Sequence, residues 1–165
     1  MIKHILFATD LGLYGPYLMK QLASVVQSTG ATVDILHAIE PMGLFAESII
    51  DTYMPDKERE YLRNKGLTEV IERIRLQVID TLNSEYADSL KLINLREVLV
   101  KVGVPAEVII EQAKITGSDL IVLGSHGQQA YCGGMLGSVV SKVLQTAPVA
   151  VHMIPMLTLN DLARS

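Results

Sequence analysis

The sequence predicts a single doubly wound α/β domain: a five-stranded parallel sheet of order 3-2-1-4-5 with helices on both faces. Three observations carry this. Short β-rich runs alternate with helical patterns from one end of the chain to the other, and such alternation yields a parallel sheet wrapped by its crossover helices. Hydrophobic residues make up 49% of 165, enough for a core on both sides of a sheet within one domain's length. The first two runs are mostly apolar, like strands buried on both faces.

Taken in order, Ile2–Thr9 and Thr32–Ile39 are those two apolar runs, each flanked by turn residues. Between them a helix is expected from Pro16 to Ser28, with proline suited to its first turn and Gly30 as its stop. Glu40–Pro55 has no clear period and reads as a long loop, a candidate lid. A long helix follows over Asp56–Tyr86, where Leu67, Val70, Ile71, Ile74, Val78 and Leu82 recur at helical spacing. Leu95–Val102 alternates, with Val98, Val100 and Val102 on one side and Glu97 and Lys101 on the other, the pattern of a strand near the sheet edge. Pro105–Thr116 is a short helix closed by Gly117, and Asp119–Gly124 is the fourth strand. Gly137–Gln145 is the last helix and Pro148–Ile154 the fifth strand. One domain is expected over residues 1–155, with a tail at 156–165.

The composition excludes several functions. A formal charge of −4 and aromatic residues at 5%, with no Trp, leave neither the basic surface nor the stacking platform of a nucleic-acid binder. Cys132 is the one cysteine, so neither an internal disulfide nor a cysteine metal cluster is available, and with no nearby base indicated it reads as an incidental thiol rather than a nucleophile. The apolar run at the start is cut by Asp10, short of both a signal peptide and a membrane span. The expectation is a cytoplasmic protein with no membrane insertion.

In a doubly wound sheet the ligand sits beyond the carboxyl ends of the strands, where the strand order reverses. Here that crevice opens between strands 1 and 4, which are left by Ala8-Thr9-Asp10 and by Gly124-Ser-His-Gly127. Five glycines fall between positions 124 and 137, just ahead of a helix. Glycine lets a ligand approach the backbone, and a helix amino terminus presents free amides and partial positive charge, which together suit phosphate. Ser138 and Ser141 add hydroxyls on the first turn. The competing reading is a glycine-rich turn needed only for tight packing. Neither familiar phosphate loop fits: no lysine stands between Gly137 and Ser138, and the dinucleotide fingerprint belongs after the first strand.

The spacing Gly-x2-Gly-x9-Gly-Ser, filled by Gly124, Gly127, Gly137 and Ser138, resembles the ATP-binding branch of the universal stress protein family. The opening Ile5-Leu-Phe-Ala-Thr-Asp10, the second-strand Ile35-Leu-His-Ala38, the fourth-strand Asp119–Gly127 and the closing Ser138–Val149 are similar to that family too. The resemblance covers residues 1–155 and implies the same 3-2-1-4-5 sheet. It implies that Asp10 contacts the nucleoside near the ribose, that Ala8 and Thr9 line the pocket, and that the Ala38 backbone meets the adenine edge. Leu123 and Gly124 would pack along base and sugar, and His126, Gly127, Gly137, Ser138 and Val139 would hold the phosphates. A departure falls at Tyr131-Cys-Gly-Gly134, where relatives usually carry a basic residue and larger side chains.

The expected function is that of an ATP-binding regulatory stress-response protein, with Mg²⁺ bridging the phosphates and an unknown protein partner downstream. No catalytic or metal-ligating residue is assigned. The alternatives are a slow ATPase or autokinase, for which the loop offers no Lys or Arg before Lys142, and an interaction module with no nucleotide. A homodimer through strand 148–154 is expected, because an uncharged apolar strand at a sheet edge invites pairing and members of the resembled family commonly dimerise there. His37 and His152 read as packing residues within apolar strands, and the charges of Asp56–Arg63 as a solvated helix face.

Overall fold

The computed structural model describes residues 1–12, 14–41, 43–125 and 136–156. Five strands, β1 (His4–Ala8), β2 (Thr32–Ile39), β3 (Asn94–Val102), β4 (Leu120–Gly124) and β5 (Ala150–Ile154), form one sheet. Their order is β3-β2-β1-β4-β5, and every neighbouring pair is parallel. The expected sheet is therefore present, with its order reversing between β1 and β4. The fifth strand starts later than the apolar run does, at Ala150, which is the first residue to face β4, opposite Leu120.

The helices are α1 (Gly15–Thr29), α2 (Leu44–Tyr53), α3 (Asp56–Tyr61), α4 (Leu67–Glu85), α5 (Ala87–Leu90), α6 (Pro105–Thr116) and α7 (Ser138–Thr146). Two of them end as glycine dictates. Gly30 and Gly117 take φ of 70° and 67° and turn their amides back on α1 and α6.

Successive side chains of a strand point to opposite faces, and β1 divides its own accordingly. Ile5 and Phe7 enter a core closed by Leu18, Met19, Leu22 and Val26 of α1 with Val78 and Leu82 of α4. Leu6 and Ala8 enter a second core closed by Val108, Ile109 and Ala113 of α6 with Val140 and Val143 of α7. β1 and β4 are thus packed on both faces between helical layers.

The structure corrects two expectations about the long crossover. Glu40–Pro55 is not a loop throughout: α2 occupies most of it, started by the extended Gly43 and ended by Met54. None of its residues is buried, and Leu44, Phe45 and Tyr53 are exposed. A helix without a buried face needs no apolar stripe, which is why its sequence shows no period. The helix expected over Asp56–Tyr86 is interrupted by a π-helical turn at Leu62–Gly66. Past this turn only Val78 and Leu82 of α4 are buried, while Leu67 and Val70 stay exposed. Among the described residues, no helix is long and apolar enough to cross a membrane.

Candidate functional site

Ala8 and Leu123 are direct neighbours across the β1–β4 ladder, and both are buried. Ala38 lies two residues past Leu36, the β2 partner of Ala8, at the carboxyl end of β2. These three, with Thr9, Asp10 and Gly124, stand on the rim where the strand order reverses. His126 and Gly127 lie outside the described residues.

Two short side-chain bonds shape the turn after β1. Thr9 Oγ1 accepts the Leu11 amide at 3.1 Å, and Asp10 Oδ1 accepts the Gly12 amide at 3.1 Å. Leu11, a non-glycine residue, is held at φ 56°, a conformation that costs free energy and persists only where its surroundings impose it. Asp10 is exposed. The His37 ring, half-buried, donates from Nδ1 to the Thr9 carbonyl at 3.1 Å, so that nitrogen carries the proton. His37 thus braces the β1 exit rather than only packing. His152 is exposed and does not pack, a further correction, since it lies on an edge strand.

The far end of the glycine loop is tied to its near end. The Gly137 amide donates to the Ser125 carbonyl at 3.0 Å, the Ser125 amide donates to Ile154 at 2.9 Å, and Ser125 Oγ accepts the Met156 amide at 2.9 Å. Ser125 is buried, and it joins the exits of β4 and β5 to the start of α7. Nothing in the local sequence marks it, because its partners lie beyond the loop. Gly124 also serves packing: a Cβ there would stand 3.2 Å from Met156 Sδ and 3.3 Å from Leu18 Cδ1.

The amino terminus of α7 faces this rim. Gly137 caps it in an extended conformation without a side-chain hydrogen bond, and the first amide to bond back to the cap is that of Ser141. The amides of Ser138, Val139 and Val140 precede that bond, so no carbonyl of their own helix accepts them. Gly137 is buried, Ser138 exposed, and Val139 half-buried against the second core. Beneath the β1 exit, Gly15 approaches Tyr86 so closely that a Cβ would stand 2.3 Å from its phenol oxygen. Burial pushes the Tyr86 phenol above its ordinary range, with the charges of Glu85 and Asp10 acting the same way. Among the described residues, no group of three or more His, Cys, Asp or Glu could hold a metal ion.

Known proteins resemble this chain along nearly all of its length. A profile described as the universal stress protein family matches residues 1–155. Universal stress protein A homolog 1 of Coxiella burnetii is 30% identical over 148 residues, covering 88% of this chain and 90% of that protein. A universal stress protein of Thermus aquaticus is 30% identical over 154 residues, covering 93% and 99%. Among solved structures, that of MJ0577 superposes with a TM-score of 0.68 at 24% identity, covering 96% of this chain and 99% of the other. A universal stress protein in complex with cAMP superposes with a TM-score of 0.54 at 17% identity, covering 93% and 97%.

Proposed function

Because this chain belongs to the universal stress protein family, we propose that it binds an adenine nucleotide, ATP, across the carboxyl ends of β1 and β4 and acts as a regulatory stress-response protein in the cytoplasm. The observation that carries this reading is the amino terminus of α7, whose Gly137 cap supplies no side-chain hydrogen bond, held at the β4 exit by the Ser125–Gly137 bond and preceded by the Gly-x2-Gly-x9-Gly-Ser spacing. Amides that no carbonyl of their own helix accepts are donors for phosphate oxygens. The complex of a fold neighbour with cAMP supports an adenine nucleotide as the ligand class.

In this reading Asp10 bonds the ribose, the Ala38 backbone meets the base edge, and Ala8, Thr9, Leu123 and Gly124 line the pocket. Gly137, Ser138 and Val139 hold the phosphates, together with His126 and Gly127. A Mg²⁺ ion bridging the phosphates belongs to the same proposal and needs few protein ligands. Dimerisation through β5 and a protein partner that reads the nucleotide state complete it.

Calorimetric titration of ATP into Gly137→Val tests the site. A side chain there intrudes where phosphate must approach, and losing two charge-assisted hydrogen bonds costs about 3 kcal/mol, or roughly a hundredfold in affinity. A folded Gly137→Val protein that binds ATP as the wild type does would sink the assignment.

A further inference from the structure

At the amino ends of the strands, across the sheet from the proposed nucleotide crevice, four side chains form a relay that the proposed function does not use. Thr32 opens β2 and is exposed, and its Oγ1 lies 2.8 Å from His4 Nδ1. His4 opens β1 with 8% of its surface exposed, and its Nε2 lies 3.0 Å from Oδ2 of the fully buried Asp34. Arg96 grips the same carboxylate with two bonds, Nε to Oδ1 at 2.9 Å and Nη2 to Oδ2.

Arg96 reaches Asp34 because the β2–β3 ladder slips there. Val33 pairs with Leu95 and Asp34 with Glu97, which leaves Arg96 as the unpaired extra residue. Such a bulge is rare between parallel strands, and it re-aims the side chain of the residue it inserts.

The direction of each hydrogen bond follows from the ends inward. A carboxylate gripped by guanidinium is an acceptor, so His4 donates to it from Nε2. The neutral ring then carries its lone pair on Nδ1, and of the two acceptors within reach of the Thr32 hydroxyl, this nitrogen at 2.8 Å and the Lys3 carbonyl at 3.3 Å, it is the nearer. Hydroxyl, imidazole and carboxylate in this order are the parts of an activated nucleophile, its base and the group that orients the base. Exposure runs the required way, with the hydroxyl at the surface and the other two groups beneath it.

We propose that Thr32 is an acyl-acceptor nucleophile, modified by activated acyl donors with His4 as its base and Asp34 and Arg96 as positioning residues. In the step, Oγ1 attacks the carbonyl carbon of the donor. The Oγ1–carbon bond forms, the bond from that carbon to the leaving oxygen breaks, and the hydroxyl proton passes through His4 Nδ1 to the departing oxygen. Nothing is oxidised or reduced, and the product is an ester on Thr32. The charged groups around His4 are Asp34 from β2, Arg96 from β3 and Asp119 ahead of β4.

p-Nitrophenyl acetate is the probe, given to the whole protein across a range of pH. Release of p-nitrophenolate is followed by absorbance, and the acetylated residue is located by peptide mass spectrometry. The expected result is one acetyl on Thr32 at every pH tested. Thr32→Ser keeps the reaction and Thr32→Val loses it. His4→Gln slows it by about a hundredfold, the usual scale of general-base assistance. Acetyl spread over lysines and the amino terminus with Thr32 unmarked overturns the proposal, as does a folded His4→Gln protein that acylates Thr32 at the wild-type rate. If His4→Gln does not fold, the contrast between Thr32→Ser and Thr32→Val decides alone.

Discussion

Asp119 stands just ahead of β4, and its carboxylate accepts the amides of Lys3 at 2.8 Å and His4 at 3.0 Å. These bonds, that from Lys3 first, hold its carboxyl below the ordinary carboxylate range. Because the folded value is depressed, the stability Asp119 contributes is present above the ordinary carboxylate pKa and is lost as pH falls through the folded value. Asp119→Asn should therefore melt below the wild type near neutrality. The gap should close as pH is lowered through the acid range. Thermal melts recorded from pH 7 down to about 2 check this, and a gap that stays constant with pH would contradict it.

Ser125 acts between elements. It carries β4 into the loop, receives the amide that starts α7, and is bonded on both sides to the segment leaving β5. Ser125→Ala keeps the backbone bonds and removes the oxygen that accepts the Met156 amide. That loss costs about 1 kcal/mol or more, since the amide is left without this acceptor, and should lower the melting temperature by about 2–4 °C. If α7 holds phosphate as proposed, ATP affinity should fall by less than the roughly hundredfold expected of Gly137→Val, because the helix is loosened rather than obstructed. Unchanged melting would show that the three-way junction does not depend on Oγ. Helix α2 is the contrasting element: with no buried residue, it contributes little packing.

For the molecule as a whole, the open edge of β5 sets the expected assembly. No described strand pairs with its outer side. The Ile154 carbonyl faces β4, where it accepts Ser125, so by alternation Val151 and Met153 direct their backbone groups to the open edge. A two-fold pairing of this edge would satisfy them. Light scattering at micromolar concentration should give twice the 18.1 kDa of one chain. Val151→Lys, which sets like charges near the axis, should return the single-chain mass while leaving nucleotide affinity intact. A wild-type mass of 18.1 kDa would refute the dimer.

The sheet order and its reversal between β1 and β4 were legible in the sequence, since apolar periodicity and strand–helix alternation leave few ways to cover a parallel sheet. Pro105, Gly30 and Gly117 marked helix ends because their backbone preferences are local. What only the tertiary structure decided depends on residues far apart in the chain. The two exposed-looking polar groups Asp34 and Arg96 are 62 residues apart, and only the bulge in β3 turns one toward the other. Ser125 meets Met156 across 31 residues, which no local pattern announces. Helix α2 escaped for the opposite reason: without a buried face, helical backbone leaves no hydrophobic period in the sequence.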